Sequence, residues 1–398
     1  MRSGAAAQRR LRATSFLSSF DRFTIPPLLV PIHRALGVSL GTASLVASAY
    51  FVAYGLSQPL WGALSDRVGR VPVIRGAVVG GALACVVAAA ARDIGVLILA
   101  RTVAGLFFAA LVPTAITYIG DTVDLRHRQH ALTIMMAFAT AGIASATVVG
   151  GVAAQVLSWR WAFLVSAVIA ALLTAFLRGL PEPVRERSTR SFGQQVQAIA
   201  HRPWVRVVVG LAFVEGAVIF GSLTFVAASL QQAGVGAALA GSAAAGFGLA
   251  NVICTPLVTR AIPRVPAPRL IAGGSSLAAL GLFVAAADTT VATAVVASVG
   301  LGAGFGFLHS TMQTWATQVY PQARAVTVSF FASAIFIGGA VASAAAAPLA
   351  NAGRFSLIFL VAAVGAAGLA LGGSLLRARY AAGSEQAAAA DESAAVAL

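Results

Sequence analysis

The chain has 398 residues, of which 59% are hydrophobic and only 10% charged, with a formal net charge of +15. A soluble domain carries about 25% charged residues, so this composition excludes an ordinary soluble fold and places the chain in lipid, in keeping with a mean hydropathy of +0.88. Nucleic acid is excluded as a partner: all 27 basic residues are Arg, scattered between apolar runs and not clustered on one solvated face.

A helix needs about 20 apolar residues to cross the hydrocarbon core. On that scale the chain reads as twelve spans. The first, 14–36, follows Arg2, Arg9, Arg10 and Arg12 in imitation of a signal peptide, but it contains Asp21 and Arg22 and lacks a clean cleavage site, so it is read as a retained span. Pro26, Pro27 and Pro31 each remove a helix hydrogen bond, and the span is expected to bend beside Asp21, widening a cavity and freeing carbonyls. Spans 41–64 and 72–91 are joined by Gly62-Ala63-Leu64-Ser65-Asp66-Arg67-Val68-Gly69-Arg70, a charged hairpin whose glycines permit a tight reversal and whose charges stay at the water boundary. Spans 94–119, 129–157 and 160–180 complete a first set of six. A polar connection, 181–203, carries Arg185, Arg187, Arg190 and Arg202, and its Ser191–Ala200 portion suits a short helix on the membrane surface. Spans 204–231, 235–260, 268–287, 290–318, 325–350 and 354–378 follow, and then an Ala-rich tail after Tyr380 that is expected to be disordered.

With both termini on the cytoplasmic side, 21 of the 27 Arg lie in the cytoplasm or at its border, which fixes the orientation. Cys85 and Cys254 fall inside apolar runs and read as small packing residues, with no disulfide framework or thiolate metal site. The two sets of spans repeat at an offset of 197 residues, which aligns Gly37-Val38 with Gly234-Val235, Pro59-Leu60 with Pro256-Leu257, Gly105 with Gly302 and Gly142 with Gly339. The chain is therefore expected to be an all-α integral membrane protein of two pseudo-symmetric six-helix bundles, 1–180 and 204–380, with a cytoplasmic linker (181–203) and tail (381–398). Parallel repeats of this kind place a substrate site between the halves near mid-membrane.

The Gly62–Arg70 hairpin matches G-x-L-(A/S)-D-R-x-G-R, the signature between the second and third spans of the major facilitator superfamily. Arg101 with Gly105, Pro113 and Asp121 is similar to that family's fourth-span pattern, and Trp159-Arg160-Trp161-Ala162-Phe163 to its W-R-W-x-F opening of span 6. Gly142-xxx-Ala146-Thr147-xx-Gly150-Gly151 resembles the fifth-span pattern of its exporters, with Ala146-Thr147 in place of Gly-Pro. The second half lacks the loop Asp, position 263 being Pro. Over nearly its whole length the chain resembles this superfamily, most of all the twelve-helix drug/proton antiporter branch. The resemblance implies the major facilitator fold, a multi-pass protein of the inner (plasma) membrane working as a monomer, and a gating network of Asp66, Arg70 and Asp121.

Asp21, Arg22, Arg101 and Glu215 lie well inside spans, where a charge costs about 2.5–3.5 kcal/mol even on the mildest insertion scale. Asp21 is about 10 Å deep at 1.5 Å per residue, and Glu215, near the midplane, maps under the repeat onto Ser18, on the same helix face as Asp21. The two carboxylates are expected to face one water-accessible hollow and to act as proton or cation sites, since low dielectric raises a carboxyl pKa. The bland alternative for each is a standing ion pair, with Arg22 or Arg101. Arg101 and Arg22 suit tuning of a carboxylate or binding of an anion. His309, with Gln313 nearby, adds a titratable group to span 10, and Phe220, Phe225, Phe305 and Phe307 are candidates to line an apolar cavity.

The reading from sequence is proton-coupled efflux of small amphipathic or drug-like molecules by alternating access, with protons, a small-molecule substrate and the lipid bilayer as partners and no cofactor. An enzyme is disfavoured: the five His are dispersed without H-E-x-x-H, and a phosphate loop ending G-K-(S/T) needs a Lys that the chain lacks. The rivals are a proton symporter importing a small metabolite, kept open by Ala146-Thr147, and a membrane channel or sensor.

Overall fold

The computed structural model describes residues 2–183, 193, 196, 197, 199 and 201–383. Eleven helices among them are long and apolar enough to cross a membrane: α2 (Leu40–Val68), α3 (Arg70–Ala90), α4 (Ile94–Thr122), α5 (Arg126–Val156), α6 (Trp159–Gly179), α7 (Pro203–Gln232), α8 (Ala237–Ala261), α9 (Ala267–Ala287), α10 (Val291–Gln318), α11 (Pro321–Ala345) and α12 (Phe355–Gly383). The remaining crossing starts with α1 (Arg2–Phe23) and resumes, after a 3₁₀ turn at Pro26–Leu28, as Leu29–Leu36. The tail beyond Gly383 and most of Ser191–Ala200 lie outside the described residues.

The first span is thus broken rather than bent. Two consecutive prolines offer no N–H to the preceding turn, so the chain leaves the helix at Thr24, whose Oγ1 turns back to donate to the Phe20 carbonyl (2.8 Å). A break in lipid must have its freed groups re-satisfied. Here the Pro27 carbonyl accepts from Gln231 Nε2 of α7 at 2.9 Å, so the expected free carbonyl is spent on joining the two halves.

The 197-residue repeat is visible in the packing. Gly37 and Gly234 take left-handed φ of 64° and 90° at matching turns. A Cβ on Gly105 would lie 2.5 Å from the Tyr50 carbonyl oxygen, and one on Gly302 2.1 Å from that of Phe247; Tyr50 and Phe247 are related by the same offset. Gly142 approaches the Phe16 carbonyl in the same way, but its counterpart against Phe213 is Gly338. The expected partner Gly339 is one residue out of step, because contact follows the face of α11 and not the sequence alignment.

The halves meet along α2 with α11 and α5 with α8. Ser333 Oγ donates to the Gly55 carbonyl (2.7 Å), the Gly41 N–H to Asn351 Oδ1 (2.6 Å), and Gly241 lies so close to Thr147 that a Cβ would sit 2.2 Å from its carbonyl. Small residues permit this approach, which is how helices associate without a hydrophobic driving force. These contacts run from mid-membrane to the end of the molecule bearing Gly37. At the opposite end, bearing Asp66, Leu177 and Arg178 are held by Arg75 of α3, whereas Ile199 packs with Val205, Ala323 and Val326 of the second half.

Replacing Gly302 by Ala should force backbone apart from backbone, a change that typically costs about 1–3 kcal/mol; Gly273, with nothing within 4 Å of a Cβ, should tolerate Ala. Thermal unfolding of the two purified variants in detergent measures the difference, and equal midpoints would contradict the packing described.

Candidate functional site

Asp21 and Arg101 form a closed pair in the middle of the first half. Arg101 Nη1 and Nη2 donate to Asp21 Oδ1 and Oδ2 at 2.9 and 2.8 Å, and Nη2 also reaches the Asp21 carbonyl at 3.1 Å. Both side chains are fully buried. The guanidinium lies over the rings of Tyr50 and Phe163, 4.6 and 4.9 Å from their centroids, and the Cys85 thiol donates to Asp21 Oδ1 at 3.2 Å. Helices α1, α2, α3, α4 and α6 therefore converge on one ion pair. Cys85 is part of that set, which corrects its reading as a plain packing residue.

The hairpin charges are also assembled. Arg70 Nε donates to Asp121 Oδ2 (3.1 Å), and Nη1 to Ser65 Oγ (3.0 Å) and to Asp66 Oδ1. Arg70 is buried, while the Asp66 side chain is 52% exposed, so the latch stands at a water boundary. Gly69 makes the turn at φ 129°, a conformation costly for any residue with a Cβ. Sequence reasoning missed Glu182. Its carboxylate accepts the backbone N–H groups of Arg70 and Val71, each at 2.8 Å, capping the N-terminus of α3 where the helix dipole favours negative charge. A carboxylate soon after span 6, level with the hairpin, was the available signal. In the second half Arg264 turns to the Arg260 carbonyl (3.0 Å), and with Pro263 in the loop no equivalent latch forms among the described residues.

Glu215 of α7 is fully buried and meets His309 of α10, Oε1 to Nδ1 at 3.1 Å; the His309 side chain remains 23% exposed. Glu215 Oε2 has no hydrogen-bond partner among the described residues. The next turn of α7, Ala217–Gly221, is a π-turn, a helix irregularity frequent at functional sites. His309 stacks on Phe305 at 4.5 Å, Phe305 meets Phe220 at a tilt with centroids 5.6 Å apart, and Phe220 stacks on Phe336 and Phe51 at 5.6 and 5.9 Å. This aromatic file crosses from the second half to the first and ends at Arg22, whose guanidinium lies 4.8, 4.9 and 5.1 Å from the centroids of Phe336, Tyr54 and Phe23. A separate cavity of about 580 Å³ opens between the halves at the Gly37 end, beside Arg34, Gln155 and Gln231.

Several expectations need correction. Asp21 and Glu215 do not face one hollow: Asp21 is sealed against Arg101, the standing-pair alternative, because the bidentate fork takes both its oxygens. Phe220 and Phe305 belong to the interface file, but Phe225 is buried within α7, and Phe307 presses its Cβ against Gly274 of α9 inside the second half. Gln313 is exposed and makes no bond to the Glu215–His309 pair.

Two packed halves, charged pairs at mid-membrane depth and a latch at one water boundary define a multi-pass membrane carrier. The chain belongs to the Major Facilitator Superfamily, whose profile matches residues 13–342; its members are transporters and not enzymes. Puromycin resistance protein pur8 of Streptomyces alboniger is 33% identical over 178 residues, 44% of this chain and 35% of that protein. The matched part is thus about a third of pur8. Probable metabolite transport protein CsbC of Bacillus subtilis (strain 168) is 26% identical over 339 residues, 74% of this chain and 73% of that protein. Among solved structures the nucleoside transporter NupG superposes with a TM-score of 0.78 at 15% identity, covering 93% of this chain and 99% of that one, a likeness of fold.

Removing one partner of a buried pair is expected to destabilise by about 3–5 kcal/mol, whereas apolar replacement of both is often far milder. Asp21→Leu and Arg101→Met should each lower the midpoint of thermal unfolding strongly, and the double variant by much less than their sum. Additive losses would show that the two do not act as a pair.

Proposed function

We propose that this chain is a proton-coupled secondary transporter that exports small amphipathic molecules across the inner (plasma) membrane by alternating access, with both termini in the cytoplasm. The observation that carries this reading is the Glu215–His309 pair. It joins a fully buried carboxyl to an imidazole that is 23% exposed, in contact with the aromatic file between the halves. The partly exposed His309 passes the proton inward, and Glu215 holds it in the buried interior. Asp21, locked in its fork, serves to fix α1 against α4.

The halves act as the two moving bodies, each with its own share of the linker, and one chain suffices. The latch of Asp66, Arg70 and Asp121 gates the cytoplasmic end: its contacts lie at the end away from the Gly-mediated seams. Export is favoured by the likeness to a protein named for resistance to puromycin.

A second reading, proton-driven uptake of a small metabolite, is favoured by Ala146-Thr147 in place of Gly-Pro and by the longer match to CsbC.

Inverted vesicles carrying the protein, given a pH step and scanned with amphipathic amines, amino acids, sugars and organic acids, should release protons on addition of a transported compound. Glu215→Gln should abolish that release and His309→Gln reduce it at least tenfold, while Asp66→Asn should slow transport without uncoupling it. Proton release unchanged in Glu215→Gln would discard the proposed proton site.

A further inference from the structure

Among the charges inside the membrane, Arg22 stands apart. Arg101 has Asp21, and Glu215 has His309. Arg22 is 8% exposed, its Nε has no hydrogen-bond partner among the described residues, and its bond to Ser19 Oγ is long, at 3.4 Å. No carboxylate of the described residues lies within salt-bridge distance. Its neighbour in sequence, Asp21, points about 100° away round the helix and has both oxygens occupied. The groups around it are π-faces: Phe23 of its own helix, Tyr54 of α2 and Phe336 of α11.

A buried cation without a counter-ion is among the most expensive arrangements in a protein, and π-faces offset only part of that cost. A packing role does not need a guanidinium, since a Leu or Met would fill the same space without the penalty. The side chain lies where the halves meet, so a molecule passing between them meets it.

We propose that Arg22 receives the negatively charged group of the transported molecule, a carboxylate or similar anion, while the molecule's flat apolar body lies on the rings of Tyr54, Phe336 and Phe51. The guanidinium fork matches a carboxylate in two parallel bonds, and the desolvation already paid in the empty protein makes the bond to an incoming anion strong. A cationic substrate meets repulsion at the same point. This inference rests on the interface being the transport path, and not on the direction in which protons move.

Three isosteric probes that differ in charge test it: 2-naphthoate, 2-naphthamide and 2-naphthylmethylammonium, titrated calorimetrically into the purified full chain in nanodiscs. Wild type should bind 2-naphthoate at least tenfold more tightly than either of the others. Arg22→Gln should erase that preference while keeping amide binding within about twofold, and Arg22→Lys should keep part of it. The proposal is overturned if wild type shows no preference for the anion, a result that needs no variant to fold, or if Arg22→Gln keeps the preference. Glu215→Gln separates the two proposals: it should still prefer 2-naphthoate, so loss of proton release with the preference intact speaks to Glu215 alone.

Discussion

The bidentate pair of Asp21 and Arg101 is the constraint on which the first half is built. An ion pair in hydrocarbon is tolerated only when its geometry is close to ideal and further contacts support both charges; here five helices supply those surroundings, with Arg101 Nε alone of its nitrogens lacking a hydrogen-bond partner among the described residues. Once α1 is held at Asp21, the next residue must turn away from that helix cluster, and Arg22 is delivered to the seam between the halves. The proline break follows within one turn and passes a carbonyl to Gln231. One fixed carboxylate thus sets the position of the free guanidinium and of the clasp beyond it.

How far this was legible in the sequence depends on how local the cause is. The Gly62–Arg70 hairpin could be read because its charges, glycines and helix ends lie within nine residues, and the spans because hydrocarbon thickness fixes their length. The repeat was legible for Gly105 and Gly302, where a carbonyl blocks any Cβ in both halves. It slipped at Gly338 because the interhelical seam moved by one residue. The partners of Asp21, Glu215 and Glu182 were not legible. Which face of α4 meets α1, or of α10 meets α7, is decided by packing between segments far apart in sequence, and hydropathy carries no such information. Phe307 misled for the same reason: two residues from His309, it sits on another face of α10. Gln313, four residues on, shares the face of His309 but is exposed and makes no bond to it.

The interior charges also bear on how transport is driven. Taking Asp21 with Arg101 as neutral, the moving interior comprises Arg22 and the Glu215–His309 pair, which is negative when proton-free and neutral when loaded. If the anion leaves on one stroke and the proton returns on the other, the outgoing form has Arg22 neutralised and Glu215 bare, a net negative charge. The returning form has Arg22 bare and Glu215 protonated, a net positive charge. A membrane potential negative inside favours both strokes, by about 2.3 kcal/mol per charge crossing 100 mV. If anion and proton travel together, the loaded and empty forms are both neutral and the potential drives neither. The same residues thus support export that is steeply dependent on voltage or uptake that is indifferent to it. What separates the two is whether Arg22 and Glu215 are filled in alternation or at once.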